Sequence, residues 1–157
     1  MEGARPATVA DVDTLVGLAR GAITELTPTR GGAVWARREA RPEPLAESFT
    51  AAISLPEHRV LLGTIDDVPV GYAVAHVEVL RDEGRLAIVD DIYVDPEARG
   101  VSVGEAMMDD IIQWARDERC IGVDSFVLPG HREAKNFFER FGLTARAIRV
   151  HKSLDDG

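Results

Sequence analysis

Residues Ile88–Asp110, IVDDIYVDPEARGVSVGEAMMDD, run an apolar strand pattern with two carboxylates through Asp-Pro and Arg-Gly straight into a helical pattern. Proline ends a strand, and a glycine-bearing turn at a helix start leaves backbone N–H groups without intrahelical partners, where anions bind. A phosphate site is therefore the first expectation. Two known phosphate loops fail on spacing. A Walker loop needs G-x-x-x-x-G-K followed by Ser or Thr, whereas Gly100 and Gly104 are followed here by Glu105. The dinucleotide fingerprint G-x-G-x-x-G is missing as well.

Upstream, three strand-like runs, Val60–Ile65, Val70–Leu80 and Leu86–Val94, are separated by Asp66-Asp67 and by a turn over Arg81–Gly84, which predicts an antiparallel meander. Ahead of them, Ala7–Val9 reads as a short first strand. Asp11 reads as the N-cap of a helix that places Leu15, Leu18, Ala19, Ala22, Ile23 and Leu26 on one face. Thr27–Arg41, TPTRGGAVWARREAR, breaks the period with Pro28 and Gly31-Gly32 and reads as a mobile connection. Pro42 and Pro44 then open a second helix carrying Leu45, Phe49, Ala52 and Ile53.

Downstream, Val103–Arg119 predicts a helix with a wide apolar stripe of Met107, Met108, Ile111, Ile112, Trp114 and Ala115, and with Asp109 and Asp110 nearer solvent. Gly122–Leu128 reads as a strand and Pro129-Gly130 as a turn. Glu133–Phe141 reads as a helix with Ala134, Phe137, Phe138 and Phe141 on one face, ended by Gly142. Ala145–Lys152 reads as a last strand. The expected fold class is α/β (α+β): a three-layer α/β/α domain around a mixed, mainly antiparallel sheet. At 157 residues, the span 1–157 fits a single domain with one core.

Composition excludes several classes. The hydrophobic share of 45% and charged share of 29% are globular values, so neither disorder nor a fibrous repeat is indicated. The net charge of −9 repels polyanions, which counts against nucleic acid and suits a cationic partner. No apolar run reaches the ~18 residues that a membrane span needs, and the first residues, MEGARPATVADVD, have no apolar leader, so a cytoplasmic location is expected. The single cysteine, Cys120, reads as a buried structural thiol. His58 and His151 have no company at ligand spacing, and no metal is expected.

The turn Arg99-Gly100-Val101-Ser102-Val103-Gly104 after Val94-Asp95-Pro96 resembles the acyl-CoA motif Q/R-x-x-G-x-G/A of the GNAT superfamily of N-acetyltransferases. The resemblance extends to Val70-Gly71-Tyr72-Ala73, to IVDDIYV, and to Ala134-Lys135-Asn136-Phe137-Phe138 with Gly142-Leu143, in the family's order. It implies acetyl-CoA as cosubstrate, with its pyrophosphate on the amides of Arg99, Gly100, Val101, Ser102, Val103 and Gly104. Its pantetheine arm would lie along Ile92, Tyr93 and Val94. The locally basic segment Pro129–Lys135, with His131, would face the nucleotide phosphates, the alternative being a solvated basic face; relatives often carry asparagine at His131. Ser102 stands where the motif has its first glycine and is expected to be helical, donating its hydroxyl.

Acetyl transfer to an amine needs the amine neutral, and a lysine-like amine of pKa ~10.4 is mostly charged at pH 7. A carboxylate acting through water could attract the cation and accept its proton. Asp90 and Asp91 are the candidates, expected on opposite faces of the strand by alternation. Relatives carry an acidic residue at the position of Asp90, which favours it; the alternative for each is a salt-bridged structural carboxylate. His76 and Glu78 share a strand face and read as a satisfied polar pair, the alternative being a place in the acceptor pocket. Phe138 stands where many relatives have a tyrosine that protonates the departing thiolate; Tyr93, Ser125 or water could replace it.

The leading expectation is an acyltransferase that moves acetyl from acetyl-CoA to a primary amine, small molecule or protein, by direct attack. The alternative is a catalytically silent acyl-CoA-binding module with a regulatory or interaction role. Family resemblance places the acceptor site in Leu26–Phe49, with Trp35 as a wall or, alternatively, a core or dimer-interface residue, and admits a homodimer.

Overall fold

The computed structural model describes residues 1–100, 102–129 and 131–155. In chain order the elements are β1 (Glu2–Pro6), α1 (Val12–Leu26), α2 (Gly32–Arg38), α3 (Leu45–Ser54), β2 (His58–Ile65), β3 (Val68–Val79), β4 (Arg85–Val94), α4 (Val103–Asp117), β5 (Val123–Ser125) and α5 (Arg132–Arg140). The sheet order is β1-β2-β3-β4-β5. The first three pairings are antiparallel and β4–β5 is parallel, as a strand-helix-strand crossover requires.

Each face of the sheet buries its own core. Leu15 and Ala19 of α1, with Leu45, Phe49 and Ala52 of α3, pack on Val60, Leu62, Tyr72 and Val74. On the opposite face, Val103, Met107, Met108 and Ile111 of α4, with Phe138 of α5, cover Leu61, Ala73, Ala75 and Val89. The three expected layers are thus present, and strand alternation is what sends Leu61 one way and Leu62 the other.

Four expectations need correction. The first strand is Glu2–Pro6, upstream of Ala7–Val9, and pairs Glu2 with Ile65 through Pro6 with Leu61. The residues after it turn instead: the Asp11 carboxylate accepts the Thr8 N–H at 2.8 Å and pairs with Arg5 at 2.9 Å, which fixes the entry to α1. The supposed mobile connection contains α2. Its N-cap Gly31 is left-handed at φ 83, and a Cβ on Gly32 would fall 2.0 Å from the Leu26 carbonyl oxygen, so the glycine pair permits a tight reversal between helices.

β5 is three residues long rather than spanning Gly122–Leu128, and it pairs only with Ala87–Val89. Among the described residues, β4 beyond Val89 keeps β3 as its only strand partner, and a gap opens between β4 and the chain leaving β5. Finally, Ala145–Lys152 forms no strand. Ile148 and Val150 are 83% and 87% exposed, and charge pairs hold the segment: Arg146 on Asp124, and Arg149 3.6 Å from Glu39. The apolar alternation is present in sequence, but so short an edge offers no ladder to extend.

Candidate active site

The site begins with a bulge. Val74 pairs with Asp91 and Ala75 with Val89, so Asp90 is an extra residue opposite β3. One inserted residue resets the alternation, and both carboxylates face the α1/α3 side rather than opposite sides. Their environments then separate them. Asp91 accepts two hydrogen bonds from Arg41, at 3.0 and 2.7 Å, and a third from the Tyr72 hydroxyl at 2.9 Å. Among the described residues Asp90 has one partner, His76 Nδ1 at 2.6 Å from Oδ2, and its side chain remains 32% exposed.

Burial pushes the Asp90 carboxyl above its ordinary pKa, opposed by the His76 contact. Burial also raises the Tyr72 phenol, and the Asp91 charge adds to the effect. Asp91 thus accepts three hydrogen bonds within the protein. Asp90 is a more basic carboxylate with an oxygen to spare. His76 pairs with Asp90 and not with Glu78, its expected companion.

The gap between β4 and β5 is a cavity of about 360 Å³. Around it stand Asp90, Asp91, Ile92, Tyr93 and Val94 from β4; Arg99, Gly100, Ser102, Val103 and Gly104 from the turn and α4; and His131 and Phe138 from the α5 end. These are the residues singled out from the sequence, brought to one place; Val101 lies outside the described residues. Trp35, Tyr93 and Ser125 also border the cavity.

At the turn, the Asp95 side chain accepts the Glu97 N–H at 2.9 Å, and Pro96–Ala98 forms a 3-10 turn. Gly100 and Ser102 are both left-handed, at φ 84 and 67. Ser102 is therefore not helical as expected: it adopts the conformation that glycine adopts without strain. The Ala106 N–H donates to the Ser102 C=O at 3.0 Å at the start of α4, and the N–H groups of the first turn before it point out of the helix end. Gly104 has a packing reason, since a Cβ there would come 3.1 Å from Phe137.

The Arg99 side chain is tied to β4 and α1. Its Nε donates to the Val94 carbonyl at 2.9 Å, one terminal nitrogen pairs with Glu25 of α1 at 2.8 Å, and the guanidinium lies 5.5 Å from the Tyr93 ring centroid. Burial, followed by the charge of Glu25, raises the Tyr93 phenol, which stays protonated at neutral pH. Phe138 is 5% exposed and belongs to the α4-side core while forming part of the cavity wall.

A second cleft of about 580 Å³ meets the first at Glu39, Arg41, Asp90 and Asp91. Its other walls include Pro42, Glu43, Glu47 and Leu55 from the α3 side, with His58 and His76 from the sheet. Sequence reasoning missed Arg41, Glu25 and Glu39. The first sits in an aperiodic stretch 50 residues from its partner Asp91, and no local pattern signals such a pairing.

The sequence matches the model of the Acetyltransferase (GNAT) family over residues 25–143, more than half of the chain. The chain belongs to the GNAT acetyltransferase family. Within it, a bovine (Bos taurus) thialysine N-epsilon-acetyltransferase is 29% identical over 73 residues, a match that spans 46% of this chain and 43% of that protein. A tetramutant of the BH1408 protein from Bacillus halodurans superposes with a TM-score of 0.82 at 20% identity, over 96% of this chain and 99% of that one. A predicted acetyltransferase with acetyl-CoA from Clostridium acetobutylicum reaches 0.73 at 12% identity, over 98% and 97%. At these identities the solved structures share the GNAT fold. Among the described residues, no helix of this GNAT protein is long and apolar enough to cross a membrane.

Proposed function

We propose that this GNAT protein transfers acetyl from acetyl-CoA to a primary amine by direct attack, with Asp90 as the base. The observation that carries this reading is the position of Asp90. It is a carboxylate of raised basicity, incompletely partnered, where the cavity beside the α4 N-terminus meets a second cleft.

The cosubstrate fits the first cavity. The α4 N-terminus supplies first-turn N–H groups and a positive dipole end for the pyrophosphate, at Gly100, Ser102, Val103 and Gly104, beside Arg99, whose own N–H reaches the Pro96 carbonyl at 3.4 Å. Ile92, Tyr93 and Val94 lie where β4 has no β5 partner and would receive the pantetheine amides, and His131 faces the nucleotide end. The acceptor comes through the second cleft, where Asp90 and Glu47 favour a cation while Glu39 and Glu43 are matched by Arg149 and Arg20.

Asp90 takes a proton from the acceptor ammonium through water, and the neutral amine attacks the thioester carbonyl. Phe138 cannot protonate the leaving thiolate, and Tyr93 or Ser125, both on the cavity wall, or water does so instead. The silent acyl-CoA-binding alternative gains no support from a site that keeps a basic carboxylate. A single-thiol chain of this kind suits the cytoplasm.

The test is incubation with acetyl-CoA and a panel of primary amines, mono- and polycationic, read by mass spectrometry, beside thermal unfolding with acetyl-CoA alone. Acetylated product, and stabilisation of about 2.7 kcal/mol at a hundred times Kd, are expected. A shift in unfolding without product from any amine would favour the silent module. No shift at millimolar acetyl-CoA would overturn both.

A further inference from the structure

His76 lies in β3 with 29% of its side chain exposed, and its Nδ1 is 2.6 Å from Asp90 Oδ2. The β4 bulge creates this contact by turning Asp90 to the face that His76 occupies. On its other side the imidazole stacks on His58, its register partner in β2, with centroids 5.6 Å and planes 25° apart. The ring is therefore held on two sides. It borders the second cleft and not the first cavity, whereas Asp90 borders both.

We propose that His76 is the positioning residue of the base, its Nδ1–H holding Asp90 Oδ2 so that Oδ1 is the oxygen presented to the acceptor or its bridging water. This rests on the assignment of Asp90 above. Among the described residues, Asp90 Oδ1 takes no hydrogen bond from the protein, so it retains its full capacity to accept. A carboxylate tethered at one oxygen offers the other in one orientation, and orientation at the reacting centre is worth about a hundredfold per ångström of misplacement.

In the reaction, an N–C bond forms and the C–S bond of the thioester breaks. The acceptor ammonium loses two protons: one ends on the CoA sulfur, and the other goes to Asp90 and then to solvent. His76 acts on the second transfer by fixing the orientation of the Asp90 carboxylate. The groups facing His76 are His58 from β2, Asp90 and Asp91 from β4, the latter matched by Arg41, and Glu39, Glu43 and Glu47 across the cleft. Glu78 follows two residues along β3.

The experiment has an arm that needs no turnover. Long-range ¹⁵N–¹H NMR of the imidazoles in the intact protein should show His76 protonated at Nδ1 when neutral, and Asp90→Asn should change that signature. The second arm is steady-state kinetics with acetyl-CoA and the fastest amine of the panel. His76→Ala should lower kcat about tenfold and leave KM for acetyl-CoA unchanged. His76→Asn, which restores a donor near the Nδ1 position, should recover most of kcat. An Nε2–H tautomer with bare Nδ1, or an unchanged kcat in His76→Ala, would overturn the proposal. Should Asp90→Asn turn over like wild type, the base assignment itself fails, an outcome distinct from either His76 result.

Discussion

Arg41 and Asp91, 50 residues apart, meet in a two-pronged ion pair with Nε at 3.0 Å and the terminal nitrogen at 2.7 Å. The two side chains are only 11% and 12% exposed, and Arg41 also donates to Ser48 at 2.9 Å and lies 5.0 Å from the Phe49 ring centroid. The pair thus fastens the chain between α2 and α3 onto β4, between the two cavities. Removing one partner strands the other, so Arg41→Ala should cost about 3–5 kcal/mol in denaturant unfolding. The double change Arg41→Met with Asp91→Leu should cost clearly less. A loss under about 1 kcal/mol for Arg41→Ala would show that solvent already reaches the pair.

Ser102 at φ 67 is a non-glycine residue in left-handed backbone. Relief of about 1–2 kcal/mol in Ser102→Gly is offset by about 0.5–1 kcal/mol of extra chain entropy. The variant should therefore be more stable by up to about 1.5 kcal/mol, seen as a higher urea midpoint at constant slope. A lower midpoint would mean that the serine hydroxyl contributes more than its backbone costs.

Asp11 contributes an acid-dependent part of the stability. Arg5, and then the Thr8 N–H, hold its carboxyl down to about 2, below its unfolded value of 3.8. A depressed native pKa stabilises the fold above the unfolded pKa, and that stability is lost as pH falls through the native one. Asp11→Asn should therefore flatten the decline in melting temperature between about pH 4 and 2 while lowering stability at neutral pH. Parallel wild-type and variant curves through this window would refute the pairing.

Asp90 has the opposite sign. Its native pKa is raised, so the fold favours its protonated form, and the contribution is lost as pH rises through the native value. Asp90→Asn should melt higher than wild type at pH 8, with the difference shrinking toward pH 4. A variant that melts lower at pH 8 would show that the His76 contact outweighs the burial.

Much of this was legible in the sequence because it is local. Periodicity located α1, α3 and α4 and the β2–β4 meander, and the Arg99–Gly104 turn announced its helix start. Legibility stopped where one residue alters a register or where partners are distant. No single-strand pattern could show that Asp90 is a bulge, because a bulge is defined by the strand opposite, and the expected opposition of Asp90 and Asp91 failed for that reason. Likewise, the alternation of Ala145–Lys152 is strand-like, but a strand needs a partner edge and β5 supplies only three residues.

The most direct test is the rate of amine acetylation by wild type and Asp90→Asn across pH 6–9, with acetyl-CoA affinity measured calorimetrically in both. Loss of a general base should lower kcat by about 10²- to 10⁴-fold, with the affinity unchanged and the variant's rate following hydroxide. Equal rates for the two proteins throughout that range would contradict the assignment of Asp90 and return the choice of base to the other groups of the second cleft.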